Sequence, residues 1–150
     1  MAEDAAHQQV TEALKQHGAS LFVPLVGAND VDLAVRGQDG QYVEVRILRP
    51  DDGPRRFAMG RFRPKAHVFF VCVEAAETAW IMPSGVFGRF ADGAQGADRR
   101  VLDLEKDDMR ESLGDRLNVY KNRWMLIAEY SKYRPTLSDP VSLQMIINMG

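Results

Sequence analysis

Between Val31 and Ile47 the apolar residues fall on every second position, interrupted once by Asp39-Gly40, and that pattern points to a β-hairpin. Val31, Leu33 and Val35 alternate with Asp32 and Ala34. Beyond the turn, Val43, Val45 and Ile47 alternate with Tyr42, Glu44 and Arg46. Side chains on a strand repeat every two residues, so one face of the hairpin is apolar. The other face sets Glu44 beside Arg46, with Asp32 facing them from the partner strand. Two carboxylates beside a cation form a candidate hard-cation site, because Mg²⁺ binds through one or two carboxylates and takes its remaining oxygens from water and phosphate. The chemistry such equipment supports is phosphodiester hydrolysis. The metal polarises a phosphoryl oxygen and acidifies a water, while a side-chain cation neutralises developing charge.

Asp32, a hairpin and then Glu44-Val45-Arg46 resemble the signature of the PD-(D/E)XK nuclease superfamily, an Asp opening one strand and Glu-x-Lys on the next. Arg46 stands where that superfamily usually carries Lys, and a permanently protonated Arg stabilises an anion but cannot act as a base. Asp30 is a second candidate for the signature Asp. Asp32 fits better because it directly precedes Leu33, which opens the core face, whereas Asp30 suits a turn. The resemblance implies a catalytic set of Asp32, Glu44 and Arg46, with Asp32 and Glu44 holding Mg²⁺ or Mn²⁺. It also implies a helper role for Glu12, on the helix before the hairpin and off that helix's apolar stripe. The implied fold is α/β, a restriction-endonuclease-like core with a mixed sheet of about five strands flanked by helices. Weighed against this, Val alternating with Glu, Asp or Arg is also the ordinary look of a strand with one solvated face.

The segment after the hairpin adds a second observation. From Arg46 to Lys65 there are seven cations, Arg46, Arg49, Arg55, Arg56, Arg61, Arg63 and Lys65, against Asp51 and Asp52 alone. The whole chain carries a formal charge of −2, which excludes a bulk, histone-like nucleic-acid binder while leaving room for this local patch. Pro50, Gly53, Pro54, Gly60 and Pro64 mark residues 49–65 as a loop. Beside the acidic face, Arg49, Arg55, Arg56, Arg61, Arg63 and Lys65 are placed to neutralise the phosphates flanking a scissile bond, with Phe57 and Phe62 free to pack or to stack on bases. The bland alternative is a solvated loop tacked to the core by its phenylalanines.

Elsewhere the pattern describes a core. Ala2 to His17 carries Ala6, Val10, Ala13 and Leu14 at helical spacing, with Gly18 to end the helix. Ala19 to Val26 reads as a first strand, at an edge or bulged because of Pro24. His67 to Val73 reads as a buried central strand, Thr78 to Met82 as its neighbour, and Gly85 to Phe90 as a helix. Cys72, inside that central run, is a small buried hydrophobe rather than a nucleophile or ligand. His67 stands alone and reads as structural. Ala91 to Arg100 reads as a loop and Val101 to Leu104 as a short strand or turn. The acidic run Asp103, Glu105, Asp107, Asp108 and Glu111 reads as solvated surface and a helix start. From Arg116, the residues Leu117, Tyr120, Trp124, Ile127 and Ala128 predict one helix ending near Tyr133. The segments Trp80-Ile-Met-Pro-Ser84 and Tyr120-Lys-Asn-Arg-Trp124 resemble the second half of several small nuclease-like domains. The apolar tail, residues 139–150, either caps its own core or crosses to a partner subunit in a homodimer.

The chain of 150 residues is long enough for one domain with a proper core and too short for a second. Glycine-rich phosphate loops, zinc-type Cys/His spacing and a Gly-x-Ser-x-Gly elbow are all missing from the sequence, which removes most of the case for nucleotide, zinc and serine-hydrolase chemistry. No apolar run reaches the roughly 18 residues of a membrane span, and the first residues lack the basic and apolar regions of a signal peptide; a cytoplasmic setting is expected. The function expected is metal-dependent hydrolysis of nucleic acid, DNA first. The alternative is a nuclease-fold module that has lost its chemistry and binds nucleic acid or a protein partner.

Overall fold

The computed structural model describes residues 5–22, 31–93 and 98–149. Its centre is a mixed sheet of five strands in the order β1-β2-β3-β5-β6. These are β1 (Ser20–Phe22), β2 (Leu33–Arg36), β3 (Tyr42–Leu48), β5 (Val68–Ala75) and β6 (Thr78–Pro83); β4 (Arg56–Met59) belongs to a separate pair. β3 and β5 run parallel, and the remaining neighbours in the sheet are antiparallel. Val-Phe-Phe-Val-Cys-Val at the start of β5 has no polar alternation because both of its faces are covered. Burying side chains such as Phe69 and Trp80 stabilises the domain by about 1.5–3 kcal/mol each.

The two faces of the sheet are covered unequally. On one, Leu33, Val35, Val43, Val45 and Ile47 are buried. Helix α1 (Ala5–Gln16) packs there through Val10 and Leu14, and Tyr130 meets Phe69 edge to face. On the other face, helix α2 (Ser84–Phe90) and Phe62 cover β5, with Phe62, Phe70 and Phe87 in mutual edge contacts. Among the described residues, no helix packs on that second face over β1, β2 and β3. Arg100, itself buried, donates to the carbonyls of Gly88 and Ala91 and so satisfies the end of α2.

The hairpin stands as expected, and so does a mixed α/β sheet flanked by helices. Its turn is pinned: Gly40 takes φ +81°, Gln38 N donates to Ala128 O, and Asp39 accepts from Gln41 N and Ser131 N. The expected first strand is seen over Ser20–Phe22, while its remainder and Asp30 lie outside the described residues.

Three expectations are corrected. Residues 49–65 are not all loop, since β4 pairs antiparallel with β7 (Arg100–Asp103) and buries Phe57 completely. The acidic run does not begin a helix. Asp107–Asp108 (β8) and Glu111–Ser112 (β9) form a minimal hairpin, and Ser112 caps α3 (Leu113–Arg116) by accepting from Asp115 N. The single helix expected to run on from Arg116 is broken into α3, a 3₁₀ turn (Asn118–Tyr120), α4 (Met125–Ala128) and α5 (Tyr130–Tyr133). Asn122 breaks it, at φ 55°, with its amide bound to Ala79 N and Glu77 O along the outer edge of β6. The apolar residues of that stretch are buried all the same. The tail forms α6 (Pro140–Met149), capped by Asp139 and buried through Leu143, with Val141, Met145 and Met149 exposed.

Candidate functional site

The site face of β2 and β3 is built by register alone. Directly opposed residues of an antiparallel pair point the same way. Ala34 opposes Glu44, and one step beyond the ladder Asp32 comes level with Arg46, so Asp32, Glu44 and Arg46 share this face. Asp32 does more than face Arg46, whose Nε lies 3.8 Å from its Oδ2. The β2–β3 ladder ends where Asp32 N donates to Val45 O, and the next donor along that edge of β3, Ile47 N, gives its hydrogen to Asp32 Oδ2 at 2.6 Å. A carboxylate thus stands where a strand carbonyl would have continued the pairing.

Glu44 is reached from the other side. β5 runs parallel to β3 with Val68 level with Glu44, which brings His67 Nε2 to 2.6 Å from Glu44 Oε2, while Glu44 N donates to His67 O. His67, read from sequence as structural, therefore stands on one of the site's carboxylates. Parallel register has no local signature in sequence, so the contact was hidden there.

Beside Glu44 lies a hollow of about 360 Å³ with Met59, Phe62, Val68 and Phe70 among its apolar walls and Arg61, Arg63 and Lys65 at its rim. Lys65 is held by its backbone, since Ser84 Oγ both accepts from Lys65 N and donates to Lys65 O. Arg61 pairs with Asp98 at the surface. Arg55 and Arg56 go elsewhere. Arg55 donates to Glu74, which also accepts from Trp80 Nε1, and its guanidinium lies over the Trp80 ring. Arg56 pairs with Asp52, and Arg49 is exposed just past β3. Phe57 is core, and Phe62 packs edge-on against Phe70 and Phe87. Glu12 lines a different hollow, with Gln8, Gln9, Ala76 and Glu77 at the far end of β5. Ala75 is seven steps along β5 from Val68, roughly 23 Å in an extended strand. Burial pushes the Cys72 thiol up, so it stays neutral and unreactive.

The structure thus brings together Asp32, Glu44, Arg46 and His67, with Arg61, Arg63 and Lys65 alongside, and leaves Glu12 and Arg55 apart from them. Among the described residues no three His, Cys, Asp or Glu side chains form a ready metal cluster, and no helix is long and apolar enough to cross a membrane.

The sheet and its helices form a mixed α/β fold, five strands flanked by helices. Among solved structures it is similar to a bacterial homing endonuclease, I-Ssp6803I, with a TM-score of 0.54 and 19% sequence identity, over 83% of this chain and 87% of the other. At that identity the likeness is one of fold. No family model and no curated protein sequence matches the chain.

Proposed function

We propose that this protein is a metal-dependent nuclease of the PD-(D/E)XK type that hydrolyses phosphodiester bonds in DNA. The observation that carries the reading is the placement of Asp32, Glu44 and Arg46 on one face of β2 and β3, with Arg61, Arg63 and Lys65 lining the hollow beside Glu44. The donor set suits a hard dication, since two carboxylates leave positions for water and phosphate oxygen. Bound on Asp32 and Glu44, Mg²⁺ or Mn²⁺ would supply a Lewis acid and an acidified water. The chain's own groups do the rest. Lys65 and Arg63 hold a phosphate at the rim, Arg46 offsets negative charge as it develops, and the Ile47 N–H fixes the Asp32 carboxylate. Glu12, in the separate hollow at the far end of β5, takes no part in this reading.

A second reading, a nuclease fold retained for binding alone, is favoured by one observation: Asp32 and Glu44 are already engaged, by Ile47 N and Arg46 and by His67. One substitution separates the two. In an active site Arg46→Lys keeps or raises Mg²⁺- or Mn²⁺-dependent cleavage of DNA, and Arg46→Ala lowers it about a hundredfold, the usual loss for one transition-state donor. Absence of cleavage by both the wild type and Arg46→Lys, on DNA or RNA with either metal, leaves only the binding module.

A further inference from the structure

The site face of the sheet carries more than acids. Its rows follow from register: Phe22, Ala34, Glu44 and Val68 lie in one line across β1, β2, β3 and β5, and Ser20, Arg36 and Tyr42 in the next. Phe22 and Tyr42 therefore stand on the same face as Asp32, Glu44 and Arg46. Tyr42 is 57% exposed and Phe22 46%. Their ring centroids are 6.0 Å apart with planes tilted by 43°, so neither ring covers the other, and the Arg36 guanidinium lies 5.9 Å from the Tyr42 centroid. Ala34 is the small residue between them and the acids. By strand geometry Tyr42 is about 7 Å from Glu44 and Phe22 about 10 Å, the reach of a single nucleotide.

Phe22 and Tyr42 leave about half of their ring surface in water on a strand face beside the acids, with only each other and Arg36 against them among the ring contacts of the described residues. We propose that Phe22 and Tyr42, with Arg36, form a stacking platform for an unpaired nucleobase next to the bond to be cut. The site would then take single-stranded nucleic acid, or a duplex with an unpaired end or flap. This rests on the nuclease reading and narrows its substrate class. An aromatic ring stacks on a base of any sequence only where the base's face is free, and inside a duplex both faces are taken. Arg36 adds a cation for the adjoining phosphate on the side away from Lys65. The platform and the cationic rim thus flank the acids, the layout of a strand drawn across the sheet with one phosphate over Asp32 and Glu44.

The test is fluorescence anisotropy with a labelled oligothymidylate and a blunt duplex of the same length, with Ca²⁺ replacing Mg²⁺ to prevent cleavage. Tyr42→Ala and Phe22→Ala are each expected to weaken oligothymidylate binding about tenfold, with the salt slope and duplex binding unchanged; Tyr42→Phe, which keeps the ring, is expected to retain affinity. Equal losses for the two nucleic acids, or no loss, overturn the platform while salt-dependent binding by the wild type keeps the nuclease reading. A change of oligomeric state on gel filtration in Tyr42→Ala, with oligothymidylate affinity intact, assigns the rings to a second copy of the chain at the β1 edge and also overturns it. If the wild type binds neither nucleic acid, both readings fall together. Both side chains are at the surface, and circular dichroism of each variant checks that the fold is kept.

Discussion

Asp32 is asked to serve the fold and the chemistry at once, and two substitutions separate those tasks. Asp32→Ala takes the acceptor from Ile47 N, a donor at the end of the β2–β3 ladder on a residue only 4% exposed. A hydrogen bond to a charged group contributes about 1.5–3 kcal/mol net, and a donor left unpaired in a buried strand forfeits that amount. The 3.8 Å pair with Arg46 adds little, since the two side chains are 31% and 39% exposed and such pairs contribute about 0–1 kcal/mol. The expected loss is about 2–3 kcal/mol, a fall of roughly 4–12 °C in melting temperature for a domain of this size. Asp32→Asn keeps an oxygen for Ile47 N and gives up only the charge, so about 1 kcal/mol is lost. If Asp32 holds the proposed metal, both variants should also lose Mn²⁺-dependent cleavage and any stabilisation of the wild type by Mn²⁺ through linkage. Urea unfolding and thermal melting, each with and without Mn²⁺, read out all of this. Equal destabilisation by Asn and Ala would refute the role given to the Ile47 bond, and an Asp32→Asn protein still stabilised by Mn²⁺ would refute the metal ligand.

Three further outcomes follow from the same structure. Arg63→Gln with Lys65→Gln should weaken nucleic-acid binding and flatten its salt dependence by about two charges, whereas Arg55→Gln should leave the salt slope alone and cost stability through Glu74 and Trp80; anisotropy across a salt series distinguishes them. Asp39 pays partial burial, yet bonds from Ser131 N and Gln41 N hold its carboxyl below the usual value, so its stabilising contribution is present above the unfolded pKa of about 4 and is lost as pH falls through the lower folded value; Asp39→Asn should flatten the stability curve in that acid window. Gly37→Ala should destabilise by about 1–3 kcal/mol, because its Cβ would run into the backbone carbonyl of Ala128, and an unchanged melting temperature would show that the hairpin and the α4–α5 segment do not pack as described.

How far the sequence revealed this domain depended on how local each cause is. The hairpin was legible because alternation and Asp39-Gly40 lie within one short stretch, and the same alternation put Asp32, Glu44 and Arg46 on one face. β4 was not legible, since a single Phe57 between Arg56 and Ala58 makes a strand only when β7, far along the chain, pairs with it. The late helix failed for the same reason. Its apolar spacing marked buried positions correctly, but Asn122 gives up helical backbone to satisfy Ala79 and Glu77 on β6. In the site itself, the partners that divide the cation cluster were hidden: Glu74 claims Arg55 and Asp52 claims Arg56, while Arg61, Arg63 and Lys65 line the hollow beside Glu44.

The most informative feature of the fold is a sheet face over which none of the described helices packs. A sheet in an α/β domain gains stability from cover on both faces, and β5 and β6 have it. Among the described residues β1, β2 and β3 lack it on the site face, where Asp32, Glu44 and Arg46 are part-exposed and Tyr42 and Phe22 are exposed. A hairpin without that second layer would be free to shear, and a site built across two strands would lose its geometry with it. Here the hairpin is tied at both ends instead, by Gln38 and Asp39 to the backbone of Ala128 and Ser131, and by Asp32 to Ile47. Those hydrogen bonds hold Asp32, Glu44 and Arg46 in register on a part-exposed face, which is what the proposed nuclease site requires. The charged residues that make poor core also make the alternation that was visible first, which is why this site and this fold are written in the same stretch of chain.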